Sequence, residues 1–372
     1  MKIQNIQIDI LKRNIPKFYV NDERKFLGGE ITQGVLRIIN SEGVEGNSLI
    51  GIQNQNMDEQ ISSIRRNFID YLLNKKIIHP ELTWGETKEF IKSTKCKISD
   101  YAPIDIALWD LHAKTENVSI SEMLGNSNES VECYITFPPL SNNVSSYTDE
   151  AKQVSESNFH AYKIHPGALN KKELFLTLDK IRLTLGEDFY LMLDPNSRYD
   201  YQTSLDIGTK LDELNFFWFE DPMYWKNWDD LKSLNTILKT PITISDDKDF
   251  FQNESILFMK KYNGKSIKAS SRKYGITGLI EISKICNKYN AKCEVGLAGN
   301  NFSNAANLHV ISSINNCSFY ENWFPKVVHE WGTKDLIITN EDGSIKIPNK
   351  KGIGLELDEE WIDFHREDIL RF

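Results

Sequence analysis

The sequence is poor in cysteine and has no long apolar run, and each shortage excludes a class of protein. Its five cysteines are an odd number, with no CxxC pair and no Cys/His ligand spacing, which favours a reduced, cytoplasmic chain. No run of about 18 apolar residues is present, so no membrane-spanning segment is predicted. The N-terminal stretch MKIQNIQIDILKRN alternates apolar and polar residues, which predicts a strand and not a signal peptide.

The chain also lacks an excess of basic residues. Its formal net charge is −9, so no basic face is available to displace counterions from phosphates, and nucleic acid is excluded as the expected partner. What the chain does have is a 40% hydrophobic share with 11% aromatic residues, which is enough for a large core. Its length exceeds one average domain, although a barrel domain alone can exceed 200 residues.

Residues 1–126 are predicted to form an α+β capping domain, which the tail from about 340 to 372 completes. The segments IQNIQIDIL and TQGVLRIIN favour an antiparallel pair of strands. The polar loop between them contains Tyr19 and Arg24 and has the composition of a mobile flap that closes over an anion. Residues 57–125 have apolar residues at helical spacing.

From about residue 130 the pattern changes to short apolar runs, each followed by a polar helical stretch. Eight such runs end near residues 137, 165, 194, 220, 246, 270, 297 and 322, at intervals of about 24 to 29 residues. Eight strand–helix units of this period predict a closed parallel barrel of the α/β class over residues 127–339. A doubly wound open sheet is the alternative, but no glycine-rich phosphate fingerprint follows any of the strands.

Three acids stand at the carboxyl ends of consecutive predicted strands. LMLDPN contains Asp194, FFWFEDP contains Glu220, and PITISDD contains Asp246, and successive acids are spaced by 26 positions. One strand–helix unit separates each pair, so the three side chains are expected to converge at the mouth of the barrel. Clustered carboxylates raise one another's pKa unless a cation is present, and an all-oxygen ligand set suits Mg²⁺. The alternative is that each acid only caps the helix that follows it.

The order and spacing of these motifs resemble the enolase superfamily, in its mandelate racemase-like branch. The resemblance rests on DPN, EDP and PITIS around the acids, on APIDIALWDLHAK followed by EMLG, on RKYGITG, and on AANLHV with YENW. It spans nearly the whole chain. The resemblance implies a capping domain over a modified (β/α)7β barrel, one essential Mg²⁺, and abstraction of a proton α to a carboxylate through an enediolate.

The same resemblance assigns bases to the ends of strands two, six and seven. On strand two the family usually shows Lys-x-Lys, and this chain has Lys163-Ile164-His165 in AYKIHPG. By position His165 takes the role of the base, with Lys163 one layer deeper beside the metal carboxylates, and the reverse assignment remains open. A structural Lys–Asp pair with a hydrogen-bonded histidine is the alternative.

The far face of the site departs from the family pattern. Alignment on GIT at 275–277 places Ala269 where the mandelate racemase pattern has an Asp after strand six, and EVGLAGNN has no histidine after strand seven. Lys268 lies one residue out of the register in which muconate-lactonizing enzymes and dipeptide epimerases carry a lysine. We expect Lys268 to point inward with a bulge restoring the register, the alternative being a surface or structural lysine.

Further polar groups near the strand ends are candidates for substrate binding, and their number favours a hydroxylated acid. They are Asn196, Ser270, Arg272, Asn300, Asn301 and Glu321, together with Tyr19 and Arg24 of the flap. The sequence therefore predicts an Mg²⁺-dependent carbon–oxygen lyase that dehydrates a sugar acid. A racemase or epimerase, a lactone cycloisomerase and a non-catalytic binder of acid sugars are the alternatives. The resemblance also implies a homo-oligomer, a dimer or an octamer.

Overall fold

The computed structural model describes residues 2–18, 27–52, 56–74, 76, 79–126, 128–138, 143–245 and 252–372. Tyr19, Arg24 and Asp246, which the sequence predicts as site residues, lie outside these ranges. No helix within them has the length and apolar character needed to cross a membrane.

The first part of the chain has three strands followed by helices, and from Cys133 onward strands and helices alternate. The strands are β1 (Ile3–Phe18), β2 (Leu27–Asn40), β3 (Glu45–Ile50), β4 (Ser130–Val131), β5 (Cys133–Thr136), β6 (Ala161–Ile164), β7 (Tyr190–Leu193), β8 (Trp218–Glu220), β9 (Ile242–Ser245), β10 (Ser266–Ala269), β11 (Lys292–Val295), β12 (Tyr320–Trp323), β13 (Ile345–Lys346) and β14 (Arg366–Arg371). The helices are α1 (Asp58–Asn67), α2 (Ile69–Leu73), α3 (Pro80–Thr94), α4 (Ile98–Glu116), α5 (Ile120–Met123), α6 (Val144–Ser155), α7 (Lys171–Leu185), α8 (Tyr201–Glu213), α9 (Trp228–Ile237), α10 (Gln252–Lys261), α11 (Ser271–Lys288), α12 (Asn301–Ser313) and α13 (Glu359–His365).

The first three strands and the last strand of the chain form an antiparallel sheet with the strand order β14-β1-β2-β3. The predicted pairing of the first two strands is confirmed, and both strands run further than their apolar segments, since β1 reaches Phe18 and β2 begins at Leu27. Ile6 and Ile8 of β1 lie buried on the face toward the helices, whereas Leu11 lies on the face toward the barrel. This two-sided burial places one face of the sheet close to the mouth of the barrel.

A buried polar contact fixes the capping helix α4 to the barrel helix α11. Asp105 accepts hydrogen bonds from the Thr277 amide at 2.9 Å and from the Thr277 hydroxyl at 2.7 Å, and the Trp109 indole donates to the same hydroxyl at 2.8 Å. Gly275 has a φ of 65°, and a Cβ atom at this position would lie 2.4 Å from Asp105 Oδ2. The RKYGITG segment therefore joins the two parts of the molecule.

Strands β5 to β12 close into an eight-stranded parallel barrel, as the sequence predicts. Within the described residues, helices α6 to α12 connect the strands, and a 3₁₀ turn follows β12. Because side chains alternate along a strand, Ala161 and Lys163 face the barrel interior while Tyr162 and Ile164 face the helices. The lower interior is apolar and contains Tyr134, Ala161, Met192, Trp218 and Phe319. Charged groups fill the layer above it.

Candidate active site

Lys163 lies inside the barrel among three carboxylates. Its side chain is buried, and Nζ lies 3.3 Å from Asp194 Oδ2, 3.1 Å from Glu220 Oε2 and 3.0 Å from Glu321 Oε1. An ammonium group has three protons to donate, so these three carboxylates use its full capacity. The ends of β6, β7, β8 and β12 thus bring one cation and three anions together, as parallel barrel strands do at their carboxyl ends.

Lys268 also points into the barrel and is a second cation in the same layer. Only 4% of its side chain is exposed. Its Nζ lies 2.8 Å from Glu220 Oε2 and 3.2 Å from Glu321 Oε2, and it donates to the Tyr134 hydroxyl. Lys268 and Lys163 therefore share two carboxylates, and each lysine reduces the electrostatic cost of burying them.

Burial and the two lysines together set the pKa values of the three buried carboxyl groups. Burial opposes ionisation of Asp194 and Glu321, but the charges of Lys163 and Lys268, together with the hydrogen bonds that the two carboxylates accept, outweigh it and hold the pKa of both carboxyls well below the usual range. Burial dominates at Glu220, whose pKa is raised, because Asp194 and Glu321 add repulsion. Burial likewise opposes the charge on Lys163, yet Glu220 and Glu321 raise the pKa of this lysine well above its ordinary value.

His165 stands at the mouth of the barrel with its two ring nitrogens in different surroundings. Nδ1 lies 2.8 Å from the Phe137 carbonyl oxygen and 3.2 Å from Thr136 Oγ1. A carbonyl oxygen only accepts, so Nδ1 carries the proton, and Nε2 is left with a lone pair in the neutral ring. Nε2 lies 3.2 Å from Asp194 Oδ2. The Tyr147 hydroxyl donates to the His165 carbonyl oxygen at 2.8 Å and holds the main chain where the strand ends.

Asp194 and Glu220 have the chemistry of ligands for a hard divalent cation. Both direct carboxylate oxygens at a single positive charge, the Lys163 ammonium, within 3.3 Å. The backbone N–H of Asn196 donates to Asp194 Oδ1 at 2.9 Å and orients the carboxylate. The described residues contain no group of three His, Cys, Asp or Glu side chains arranged to hold a metal, and the predicted third ligand, Asp246, lies outside them. The oxygen donors that are described fit Mg²⁺.

The two asparagines predicted to bind substrate after strand seven make structural hydrogen bonds. Asn300 Oδ1 accepts from the Ser303 amide and caps α12, while Nδ2 donates to the Gly51 carbonyl at 2.7 Å. Asn301 is fully buried and donates to the Thr333 hydroxyl. Substrate contact by Asn300 and Asn301 stays a prediction, and the capping role of Asn300 is one for which asparagine is favoured at the start of a helix.

The other residues predicted to contact substrate differ in how far their side chains are exposed to solvent. The Asn196 side chain is exposed, Ser270 is the buried N-cap residue of α11, and Arg272 lines a small cavity of about 20 Å³ between the capping sheet and the barrel. Glu321 lies in the interior with the two lysines. Substrate contact by Asn196, Ser270, Arg272 and Glu321 stays a prediction.

Two residues of the first barrel strand reach the site and were missed from the sequence. Thr136 Oγ1 donates to the Lys163 carbonyl oxygen at 3.0 Å and lies beside the His165 ring. The Tyr134 ring lies 5.5 Å from Lys163 Nζ and 5.0 Å from Lys268 Nζ. The alternation in CYITF places both on the inner face, and that signal was available. A tyrosine or a threonine on a strand does not by itself indicate an active site, which is why the two residues were missed.

Comparison with known proteins gives matches along most of the chain. Residues 29–125 match the model of the mandelate racemase / muconate lactonizing enzyme N-terminal domain, and residues 146–361 match that of the enolase C-terminal domain-like family. The L-talarate/galactarate dehydratase of Salmonella typhimurium is 24% identical over 76% of this chain and 69% of its own. The D-galactarolactone cycloisomerase of Agrobacterium fabrum is 35% identical over 32% of each chain.

A solved structure shows the same fold over the full length. The D-glucarate dehydratase from Agrobacterium tumefaciens, complexed with magnesium, has a TM-score of 0.84 at 20% identity and covers 99% of this chain and 100% of its own. The relatives support an enzymatic function and include both lyases and isomerases. The two matched domains cover more than half of the chain, and the protein belongs to the mandelate racemase / muconate lactonizing enzyme family of the enolase superfamily.

Proposed function

We propose that this protein is an Mg²⁺-dependent hydro-lyase that dehydrates a sugar acid, with His165 as the base. The arrangement of the His165 ring carries the proposal. Its Nδ1–H donates to the Phe137 carbonyl oxygen, so Nε2, which lies 3.2 Å from Asp194 Oδ2 at the mouth of the barrel, is the nitrogen that takes up a proton and, once protonated, donates to that carboxylate. A base with a fixed tautomer at the edge of a carboxylate cluster suits removal of a proton α to a bound carboxylate.

The reaction divides between the cation and the side chains. Asp194, Glu220 and Asp246 would hold Mg²⁺, which supplies positive charge for the substrate carboxylate. His165 Nε2 removes the α-proton, and the electron pair of the C–H bond moves into the carboxylate to give an enediolate. When this pair returns to form the carbon–carbon double bond, the β-hydroxyl leaves and takes the proton from the His165 imidazolium as water. One residue thus serves a syn elimination on one face.

Lys163 and Lys268 serve better as fixed charges than as bases. Each ammonium contacts two or three buried carboxylates, so loss of its proton would leave those carboxylates without their partner. A racemase needs a competent base on each face of the α-carbon. The ion pairs of Lys268 with Glu220 and Glu321 disfavour this lysine as the second base. A cycloisomerase needs one base only and is the second candidate, favoured by the same single base at His165.

The test measures α-proton exchange and dehydration together. A panel of sugar acids with Mg²⁺ in D₂O is followed by NMR for deuterium at the α-carbon and for the 2-keto product. We expect His165→Asn to lose roughly 10²–10⁴-fold in both rates, which is the usual contribution of general base catalysis. His160→Asn is the matched control, because His160 is exposed just before the other end of β6.

Each outcome of this test selects one function. Exchange followed by a 2-keto product supports the dehydratase, and exchange with ring opening of a lactone supports the cycloisomerase. Exchange with inversion supports an epimerase. Full activity in both His165→Asn and Lys163→Ala would exclude both residues as the base, and a protein that binds acids without any exchange is a non-catalytic binder.

The remaining assignments are also proposals. We propose a capping domain of residues 1–126 with about 340–372, a barrel domain of 127–339, and a homo-oligomer, either a dimer or an octamer. All five cysteines are free, which supports a cytoplasmic location.

A further inference from the structure

Another buried cation lies apart from the two lysines, on the capping sheet. Arg13 of β1 is on the face that points to the barrel, between Leu11 and Ile15, and is 8% exposed. Its guanidinium donates to Gln33 Oε1 at 3.3 Å and to the Val327 carbonyl oxygen at 3.2 Å. Both acceptors are neutral, and no carboxylate of the described residues forms an ion pair with it. A buried guanidinium usually has an anion as partner.

Two further polar groups beside Arg13 lack partners. Both ring nitrogens of His329 are buried without a hydrogen bond to any described group, and so is the Trp331 indole nitrogen. His329 is 2% exposed. The Arg13 guanidinium carbon lies 5.4 Å from the centre of the Trp331 ring. We call Arg13, His329 and Trp331 the Arg13–His329 cluster. Buried groups of this kind are normally satisfied, so the cluster is arranged for a ligand.

The cluster lies at the mouth of the barrel, above the proposed reaction centre. Glu321 and Trp323 are two residues apart on β12 and so share a face. Glu321 contacts Lys163 in the interior, and the Trp323 ring packs edge-on against His329 with 4.4 Å between ring centres. Ile15, Ile31 and Val328 form a small apolar cluster with Trp323 on the same side. One strand face thus leads from the proposed reaction centre to the cluster.

We propose that the Arg13–His329 cluster binds a second carboxylate at the far end of the substrate, so that the substrate is a sugar diacid. This inference rests on the proposed function and specifies its substrate class. The guanidinium fork matches the two oxygens of a carboxylate, and the imidazole and indole supply further N–H donors. The first carboxylate and the α-carbon lie at Lys163 and His165, and the chain of hydroxylated carbons spans the distance to the cluster.

The charge of the cluster favours a carboxylate over a phosphate. Burial, helped by the Arg13 charge and opposed by Glu321, lowers the pKa of His329 to about 3, so the ring is neutral near pH 7. Burial lowers the pKa of Arg13 to about 10, which leaves the guanidinium charged. The cluster therefore presents a single positive charge, which matches one carboxylate and leaves a phosphate dianion half compensated.

The experiment compares stereochemically matched pairs of hexaric and hexonic acids, such as galactarate with galactonate, which differ only in the terminal carboxylate. We expect Arg13→Met to lower kcat/KM for the diacid about 100-fold and to change that for the monoacid less than about threefold, since a charged hydrogen-bond pair contributes 1.5–3 kcal/mol. Arg13→Lys keeps the charge without the fork and should lose about tenfold. Lys12→Met is the control, because Lys12 is the exposed neighbour of Arg13 on β1.

A second variant and a binding measurement separate the outcomes. His329→Phe keeps the ring against Trp323 but removes the N–H donor, and should also affect the diacid alone. Calorimetric binding of both acids is measured in the His165→Asn background, where substrate is not consumed. The proposal is overturned by equal losses for diacid and monoacid, or by preference for a monoacid or a 6-phosphorylated hexonate. An Arg13-dependent preference for diacid binding without α-proton exchange in the wild type would contradict the proposed function alone.

Discussion

At the residue scale, the hydroxyl group of Thr136 helps to orient the imidazole ring of the proposed base, His165. Its hydroxyl proton is donated to the Lys163 carbonyl, so its oxygen can only accept from His165 Nδ1. Together with the Phe137 carbonyl, it keeps a proton on Nδ1, so that Nε2 is the nitrogen that takes up and releases the second proton. The residue is a positioning residue, since it does not face the expected place of the substrate.

Replacement of Thr136 should therefore change turnover more than binding. We expect Thr136→Val to lower kcat about tenfold with KM changed less than about twofold, because a net hydrogen bond contributes about 1 kcal/mol. Thr136→Ser restores the hydroxyl and should recover most of kcat. Steady-state kinetics on the best sugar acid checks this, and an equal fall of Thr136→Val and Thr136→Ser would assign the residue to packing alone.

At the scale of elements, Gly275 shows how the capping domain is joined to the barrel. Its φ of 65° lies in the left-handed region, and Asp105 occupies the space that a side chain would need. Gly275→Ala combines backbone strain with a displaced Asp105, whose bonds to Thr277 hold α4 on α11. We expect this change to lower the free energy of unfolding by about 3 kcal/mol.

A second glycine supplies the control for this prediction. Gly85 lies inside α3, and a Cβ atom built there meets no atom within 4 Å. Gly85→Ala should raise the free energy of unfolding by about 0.5–1 kcal/mol, because alanine loses less entropy in a helix. Urea denaturation of both variants gives the comparison. A Gly275→Ala protein as stable as the wild type would show that α11 tolerates a shift of Asp105.

The barrel could be predicted from the sequence because its signals are local and repeated. Each strand, such as AYKIH around Lys163, is a short apolar run with its functional residue at the carboxyl end. Strand β14 could not be predicted, since REDILR has four charged residues in six and is a strand because β1 supplies hydrogen bonds along it. The structural hydrogen bond of Asn300 could not be predicted, because the Gly51 carbonyl to which its side chain donates lies 249 residues away in the chain.

At the scale of the whole molecule, the barrel concentrates negative charge that the lysines only partly offset. Asp194, Glu220 and Glu321 face two ammonium groups, and burial together with Asp194 and Glu220 raises the pKa of Asp221 to about 8. A divalent cation at Asp194 and Glu220 would reduce this repulsion in the folded state only. Mg²⁺ should therefore stabilise the folded protein by binding, independently of turnover.

The stabilisation by Mg²⁺ can be measured without a substrate. At a free Mg²⁺ concentration about 100 times Kd, the free energy of unfolding should rise by about 2.7 kcal/mol, and excess EDTA should remove the gain. Asp194→Asn should abolish the gain, whereas Asp188→Asn should keep it, because Asp188 is exposed at the opposite end of β7. Urea denaturation of the wild type, Asp194→Asn and Asp188→Asn, with and without Mg²⁺, measures these gains in the free energy of unfolding. Equal gains in wild type and Asp194→Asn would place the bound cation elsewhere, and the gathering of carboxylates around Lys163 would then be a purely internal ion-pair network.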